Sequence, residues 1–240
     1  MQENEKNLFH GSKMVVEQPL REKCRENNDF GKCFYCTESL DLAKEWACQK
    51  GSVGIVSAYT LDMTGLSVVY LNSDEYHLLH WITMLLQYRR PNNLSNRMRN
   101  VSDYLIRNFA VDTSSADVII GYRADDSYFQ YAVDFLRGQI DLEALSEAMH
   151  LGKLGEQVAI QSNRAFQRLT FQDFCEVEPA YIARYQKRDD QARVAYDKLL
   201  EKKMFAEKQM TIDRIIREGI KNDDPRLFRS IYRGRTGKFR

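Results

Sequence analysis

Strand-like and helix-like segments alternate over the first ~178 residues, which predicts an α+β fold with a helical extension at its C-terminal end. Three observations carry this. Seven short runs rich in β-branched and aromatic residues are separated by longer runs of helical character. The 240 residues, 43% hydrophobic and 29% charged, suffice for one good-sized domain plus an appendage without disulfide staples. From Pro179 the chain changes character, becoming charge-rich and free of Gly and Pro from Tyr181 to Phe205.

In chain order, Leu8–Ser12 and Cys33–Thr37 read as strands, and Leu40–Gln49 as a helix with Ser39 as its N-cap. Strands Gly54–Asp62 and Leu66–Leu71 follow. A helix over Asp74–Arg89 takes Ser73 as N-cap, and another spans Ser95–Phe109. Asp117–Tyr122 is a strand. Asp125-Asp126-Ser127 caps a helix running to Arg137, placing acids where the helix dipole favours them. Leu142–His150 is a helix, Gln157–Gln161 a strand, Asn163–Arg168 a short helix and Thr170–Glu178 the last strand. Pro179 suits a first helical turn. Short helices over Thr211–Gly219 and Pro225–Tyr232 precede a Gly- and Arg-rich end, Arg233–Arg240, expected to fray. The expected division is 1–178 and 179–240.

The formal net charge of +1 hides a split. Residues 180–240 carry 17 Lys/Arg against 9 Asp/Glu, and residues 1–179 carry 18 against 25. A basic extension on an acidic body suits an acidic partner or nucleic acid, or packs on the acidic body itself. The polar N-terminus argues against a signal peptide, and no apolar run approaches the roughly 18 residues of a spanning helix. With five cysteines and no secretory signal, the thiols are expected reduced and the protein cytoplasmic, or delivered as an effector.

Several motifs are excluded by their chemistry. Cys33-x-x-Cys36, flanked by Cys24 and Cys48, lacks a second Cys pair, and i, i+3 positions on a strand point to opposite faces. His77-x-x-His80 shares a helical face with Trp81 and lacks further ligands, so no metal is expected. Gly234-Arg235-Thr236-Gly237-Lys238 is too short for a phosphate loop and no Ser or Thr follows Lys238. Neither a Gly-x-Ser-x-Gly elbow nor a Gly-x-Gly-x-x-Gly turn is present.

What remains is Leu8-Phe9-His10-Gly11-Ser12, and Asp29-Phe30-Gly31-Lys32-Cys33-Phe34-Tyr35-Cys36-Thr37. Together they offer an imidazole, bare backbone and an aromatic face. Each motif alone reads equally as core, with His10 a satisfied histidine and Tyr35 a packed aromatic. Phe30 to Thr37, followed by Leu42-Ala43-Lys44-Glu45-Trp46-Ala47, resembles the Tyr-bearing strand and following helix of ADP-ribosyltransferases. Leu8–Ser12 resembles their first strand in the diphtheria-toxin and poly(ADP-ribose) polymerase branch. Asp117–Asp126 and Gln157–Ile160 resemble an uncharacterised bacterial family of that superfamily with a His-Tyr-Gln/Glu triad. The resemblance spans roughly residues 8–175.

It implies a split β-sandwich that binds NAD as substrate between two small sheets. It implies His10 and Ser12 at the adenosine ribose, the Gly11 backbone on the nicotinamide amide, and Tyr35 and Trp46 stacked on the ring. Aromatic faces also suit the cationic pyridinium. Ala43 falls where the superfamily often has a nicotinamide-binding Ser. The family's Glu, which grips a ribose hydroxyl, maps to the strand start Glu156-Gln157. Alternation puts Gln157, Ala159 and Gln161 on one face and Glu156, Val158 and Ile160 on the other, which turns Gln157 to the cleft; a one-residue slip would present Glu156. The implied activity is mono-ADP-ribosyl transfer to an unknown protein or nucleic-acid acceptor, in a toxin-like or regulatory role. The alternatives are a non-catalytic NAD or ADP-ribose module, suggested by Gln157 in place of Glu, and an RNA-directed NAD-using transferase, suggested by the basic extension, which would want a cluster of Arg beside the His strand where Lys13 and Arg21 stand.

Overall fold

Seven short segments form strands: Gly54–Asp62 largely alternates in burial with the period of two expected of a half-buried strand, whereas Val118–Tyr122 and Glu156–Ile160 are buried on both faces. A computed structural model describes residues 4–48, 52–89, 95–124, 126–151, 155–203 and 207–227. The elements are β1 (Glu5–Ser12), β2 (Phe34–Cys36), α1 (Leu40–Ala47), β3 (Gly54–Asp62), β4 (Val68–Tyr70), α2 (Leu78–Tyr88), α3 (Asn96–Phe109) and β5 (Val118–Tyr122). Then come α4 (Asp126–Leu136), α5 (Leu142–Ala148), β6 (Glu156–Ile160), α6 (Asn163–Gln167), β7 (Leu169–Val177), α7 (Tyr181–Lys203) and α8 (Ile212–Arg217). A short 3-10 turn over Arg21–Lys23 has no counterpart in the sequence reading. Asp125, the loop-like Gly234–Lys238 and the end from Phe228 lie outside the described residues. Of Pro225–Tyr232, Pro225–Leu227 are helical and the rest lies outside them.

Ser39 caps α1 as expected, its hydroxyl accepting the Leu42 N–H at 3.3 Å. Ser73 does not cap α2. Its carbonyl instead accepts the Tyr76 N–H in a turn, and α2 begins only at Leu78 with His77 as N-cap. The His77 N–H donates to His80 Nδ1 at 2.9 Å, and the His77 side chain serves the His80 end in return. This reciprocal pair does at α2 what Ser with Glu does in a capping box.

The chain divides into two compact units that do not follow the 178/179 boundary. The first takes residues up to Asn72, Asp112–Arg123 and Leu154–Arg188; the second takes Ser73–Val111, Ala124–Lys153 and the chain from Asp189.

The first unit contains both sheets. One has the order β1-β3-β7, all antiparallel; the other has the order β2-β6-β5-β4, with only β4–β5 parallel. Their apolar faces meet: Leu8, Tyr59 and Leu61 from the first against Phe34, Cys36, Val118, Ile120, Val158 and Ile160 from the second. The opposite face of the first sheet receives α1, with Ala43, Ala47 and Cys48 packed on Val56 and Val177. An antiparallel sheet packed on a mixed one, with α1 on the outer face of the first, makes this an α+β fold.

The second unit is helical and includes the C-terminal stretch. In α2, Leu78 to Leu86 are all buried, as a helix apolar on every side requires. Met210, Ile212, Ile215, Ile220 and Leu227 are buried too. Among the described residues no helix is long and apolar enough to cross a membrane.

Candidate functional site: the fork between the two sheets

β1 and β2 touch through a single bridge. The Phe9 N–H donates to the Thr37 carbonyl at 2.8 Å, and the Thr37 N–H to the Phe9 carbonyl at 3.0 Å. Continued in register, the bridge would next pair Gly11 with Tyr35. The sheets part instead, and the His10 ring reaches the Tyr35 carbonyl, Nδ1 to O 2.7 Å. A carbonyl only accepts, so Nδ1 carries the hydrogen and Nε2 of the neutral ring is an acceptor. Burial holds the His10 pKa below its usual value, outweighing the carbonyl's pull in the other direction. The ring is therefore neutral at neutral pH. It lies against Phe34, centroids 4.4 Å apart.

Gly11 stands one step past the bridge. Phe9 spends its N–H and C=O on β2, so backbone alternation turns those of Gly11 to the same side, into the fork. Its lack of a side chain has a different cause from the ligand access expected of it. A Cβ there would lie 2.0 Å from the Ala43 carbonyl oxygen and 2.7 Å from the Ala47 nitrogen. Gly54 on β3 is under the same helix, 2.4 Å from the Ala47 carbonyl by the same construction. The two glycines let α1 lie close on the sheet. Ala43, fully buried there, has its carbonyl against Gly11.

α1 also carries Trp46, whose ring faces the Arg123 guanidinium at 5.1 Å. The indole Nε1 is covered and has no hydrogen-bond partner. The Ser12 hydroxyl donates to the Met14 carbonyl at 2.6 Å. Arg21 Nε donates to the Gln161 carbonyl at 2.8 Å.

The register of β6 separates Glu156 from Gln157. Tyr35 pairs with Ala159 and Gly121 with Gln157, so Gln157 shares a sheet face with Tyr35. Glu156 pairs with Tyr122 and shares the core-side face with Val158 and Ile160, at its solvent end. There its carboxylate accepts from the Tyr70 hydroxyl at 2.9 Å and from Asn72 Nδ2 at 2.6 Å. The assignment of faces matches the sequence reading, but burial reverses it: Gln157 is 4% exposed and Glu156 is half-buried.

The cause is the segment Asp29–Gly31, which lies over the Gln157 face. Gln157 Nε2 donates to Asp29 Oδ2 at 2.8 Å and lies 3.4 Å from the Tyr122 carbonyl. Phe30 is 1% exposed, and its ring lies against Gly121. The Tyr35 hydroxyl accepts the Phe30 N–H at 2.9 Å and donates to the Gly31 carbonyl at 2.8 Å. Gly31 adopts φ of 81°, a conformation glycine takes without steric cost.

The fork thus joins His10, Gly11 and Tyr35 directly, and the Asp29–Gly31 loop joins Tyr35 to Gln157. Glu156 is held on the other face of its sheet. The sequence pattern assigns no site role to Asp29, Tyr70, Asn72 or Arg123. The signal for Asp29 is its place at the head of the segment that leads to Tyr35.

Cys33, Cys36 and Cys48 are buried and free, with Cys33 pushed up to about 12 by burial. His77 and His80 stack at 3.9 Å and share the Asn222 side-chain oxygen. Among the described residues no group of three or more His, Cys, Asp or Glu is arranged to hold a metal ion.

These features define an α+β protein with two sheets forked at a His-Gly strand. The chain belongs to the family described as a protein of unknown function (DUF3990), whose family model matches residues 6–171. That stretch contains every fork residue. No curated protein and no solved structure matches the chain.

Proposed function

We propose that the fork binds NAD and that the protein is an NAD-dependent mono-ADP-ribosyltransferase of the ADP-ribosyltransferase superfamily, acting on a macromolecular acceptor. The observation that carries this is the His10–Tyr35 bond at the fork, beside the outward N–H and C=O of Gly11. That N–H and C=O complement the C=O and NH2 of a carboxamide such as nicotinamide. The neutral His10 accepts a ribose hydroxyl at Nε2. Tyr35 and Trp46 supply aromatic surface for the pyridinium ring.

In the reaction, the bond between ribose C1′ and the nicotinamide nitrogen breaks and its electron pair leaves with nicotinamide. The acceptor nucleophile then bonds to C1′ and loses its proton. Positive charge builds on the ribose between these events, so a group gripping a ribose hydroxyl must also stabilise that charge. Gln157 is the side chain of the strand start that shares Tyr35's face.

A second reading, a module that binds NAD or ADP-ribose without cleaving it, is favoured by the neutral amide of Gln157 and by the Tyr70 and Asn72 bonds on Glu156. The purified full chain is incubated with labelled NAD, following bound label and released nicotinamide. Transferase activity appears as nicotinamide release that falls at least about tenfold in Tyr35→Ala and His10→Ala. Turnover untouched by both substitutions overturns the proposal; tight NAD binding with nicotinamide at blank level establishes the second reading.

A further inference from the structure

Resting on the NAD-cleaving reading of the fork, we propose that Asp29 is a positioning residue that acts through Gln157, so that a Gln–Asp pair does the work of a single glutamate. The amide orientation is fixed by its partners. A carboxylate oxygen and a backbone carbonyl can only accept, so both must face the NH2 group of Gln157. Oε1 is thereby turned away from them, and is the acceptor that a hydroxyl reaching this buried side chain would meet.

The carboxylate partner also supplies what an amide lacks. Asp29 is 8% exposed, and a carboxylate so buried is costly unless hydrogen-bonded. Donation from Nε2 to an anionic oxygen polarises the amide and strengthens Oε1 as an acceptor. Asp29 and Gln157 are both buried, so the charge of Asp29 acts on that amide with little solvent screening. Gln157 would grip the hydroxyl and Asp29 would stabilise the positive charge developing on the ribose.

The loop is built to hold this arrangement. Phe30, seated on Gly121, and Gly31, tied to the Tyr35 hydroxyl, fix the backbone that directly follows Asp29. One three-residue segment therefore sets both the ring that would stack on nicotinamide and the amide that would hold the ribose.

The test uses the full chain in four forms: wild type, Asp29→Asn, Gln157→Glu, and the swap Asp29→Asn with Gln157→Glu. In the swap the hydrogen bond survives, with the amide and carboxylate exchanged. NAD binding, nicotinamide release at saturating NAD and melting temperature are measured for each. We expect Asp29→Asn to lose at least about tenfold in kcat while NAD affinity stays within about threefold. The swap recovers the lost kcat. A purely structural Asp29 would instead lower melting temperature and NAD affinity together, with no recovery in the swap, and that result overturns the inference. So does an Asp29→Asn variant as active as wild type. If Asp29→Asn fails to fold, the swap decides: activity at or above wild type supports the pair, and a folded swap without activity beside an active wild type overturns it. A wild type that releases no nicotinamide overturns the NAD-cleaving reading, and with it the role of Asp29.

Discussion

Gly11 has no room for a β-carbon because the backbone of α1 already occupies the space. Backbone cannot swing aside as a side-chain tip can, so Gly11→Ala must push α1 off the sheet. The expected cost is about 1–3 kcal/mol, typical of overpacking, read as a lower urea midpoint. Tyr35 is held by the loop that leads into its own strand. Its hydroxyl both accepts from and donates to the Asp29–Gly31 loop. Tyr35→Phe keeps the ring and removes both bonds, for an expected loss of about 1–3 kcal/mol in chemical denaturation. It should also raise amide exchange at Phe30, whose N–H loses its acceptor.

Among the elements, α2 starts at Leu78, later than the Asp74 start that a Ser73 cap implies. Serine is a good cap in isolation, but His77 and His80 cap each other and both engage Asn222 Oδ1. Burial lowers both pKa values, His77 to about 3, with the adjacent ring adding to the effect. Both lie below the unfolded value near 6.5, so the unfolded chain takes up protons first as pH falls. The stability they contribute is full above the unfolded pKa and is lost as pH drops through 6.5 towards the folded values; His10 adds in the same direction. Urea denaturation at pH 7.5 and pH 5 should show a lower midpoint at pH 5, and His80→Gln should shrink that difference. α7 is anchored differently. Charged along most of its length, it buries Ala192, Tyr196 and Leu199. The Tyr196 hydroxyl donates to Asp134 on α4 at 2.9 Å, and Gln130 donates to the other Asp134 oxygen at 2.8 Å. Tyr196→Phe should cost about 1–3 kcal/mol by leaving a buried carboxylate short of a donor, seen as a drop in melting temperature.

For the whole molecule, the C-terminal stretch counts as part of a core. Met210, Ile212, Ile215, Ile220 and Leu227 are at most 8% exposed, in a unit that also takes Ser73–Val111 and Ala124–Lys153. Its basic residues pair within that unit: Lys203 with Glu147, Arg214 and Arg226 with Glu218, and Asp213 with Arg97. Such exposed pairs add little stability. The apolar contacts dominate, so truncation after Arg188 should strip the helices of the second unit of their cover. The expected outcome is a sharp fall in soluble protein and loss of a cooperative thermal transition, compared with full length under the same expression conditions.

Local sequence determined the elements. Strand and helix patterns depend on residues two to four apart, and the segments from Leu8 to Arg217 fold as their periodicity predicts, with shifted ends. Local sequence also paired His10-Gly11 with Tyr35 as the place to look, because those residue types are unusual together. Only the tertiary structure decided what each does to the others. The β6 register that puts Gln157 on Tyr35's face comes from hydrogen bonds to β2 and β5. The Asp29 carboxylate on Gln157 spans 128 residues of chain. The turning of Gly11 into the fork depends on where two sheets stop pairing. Burial, too, is a property of what folds on top: Gln157 is nearly inaccessible and Glu156 half-open because of a loop that no periodicity could assign to either. Contacts between distant segments are set by packing, and packing leaves no signature in the spacing of residues along the chain.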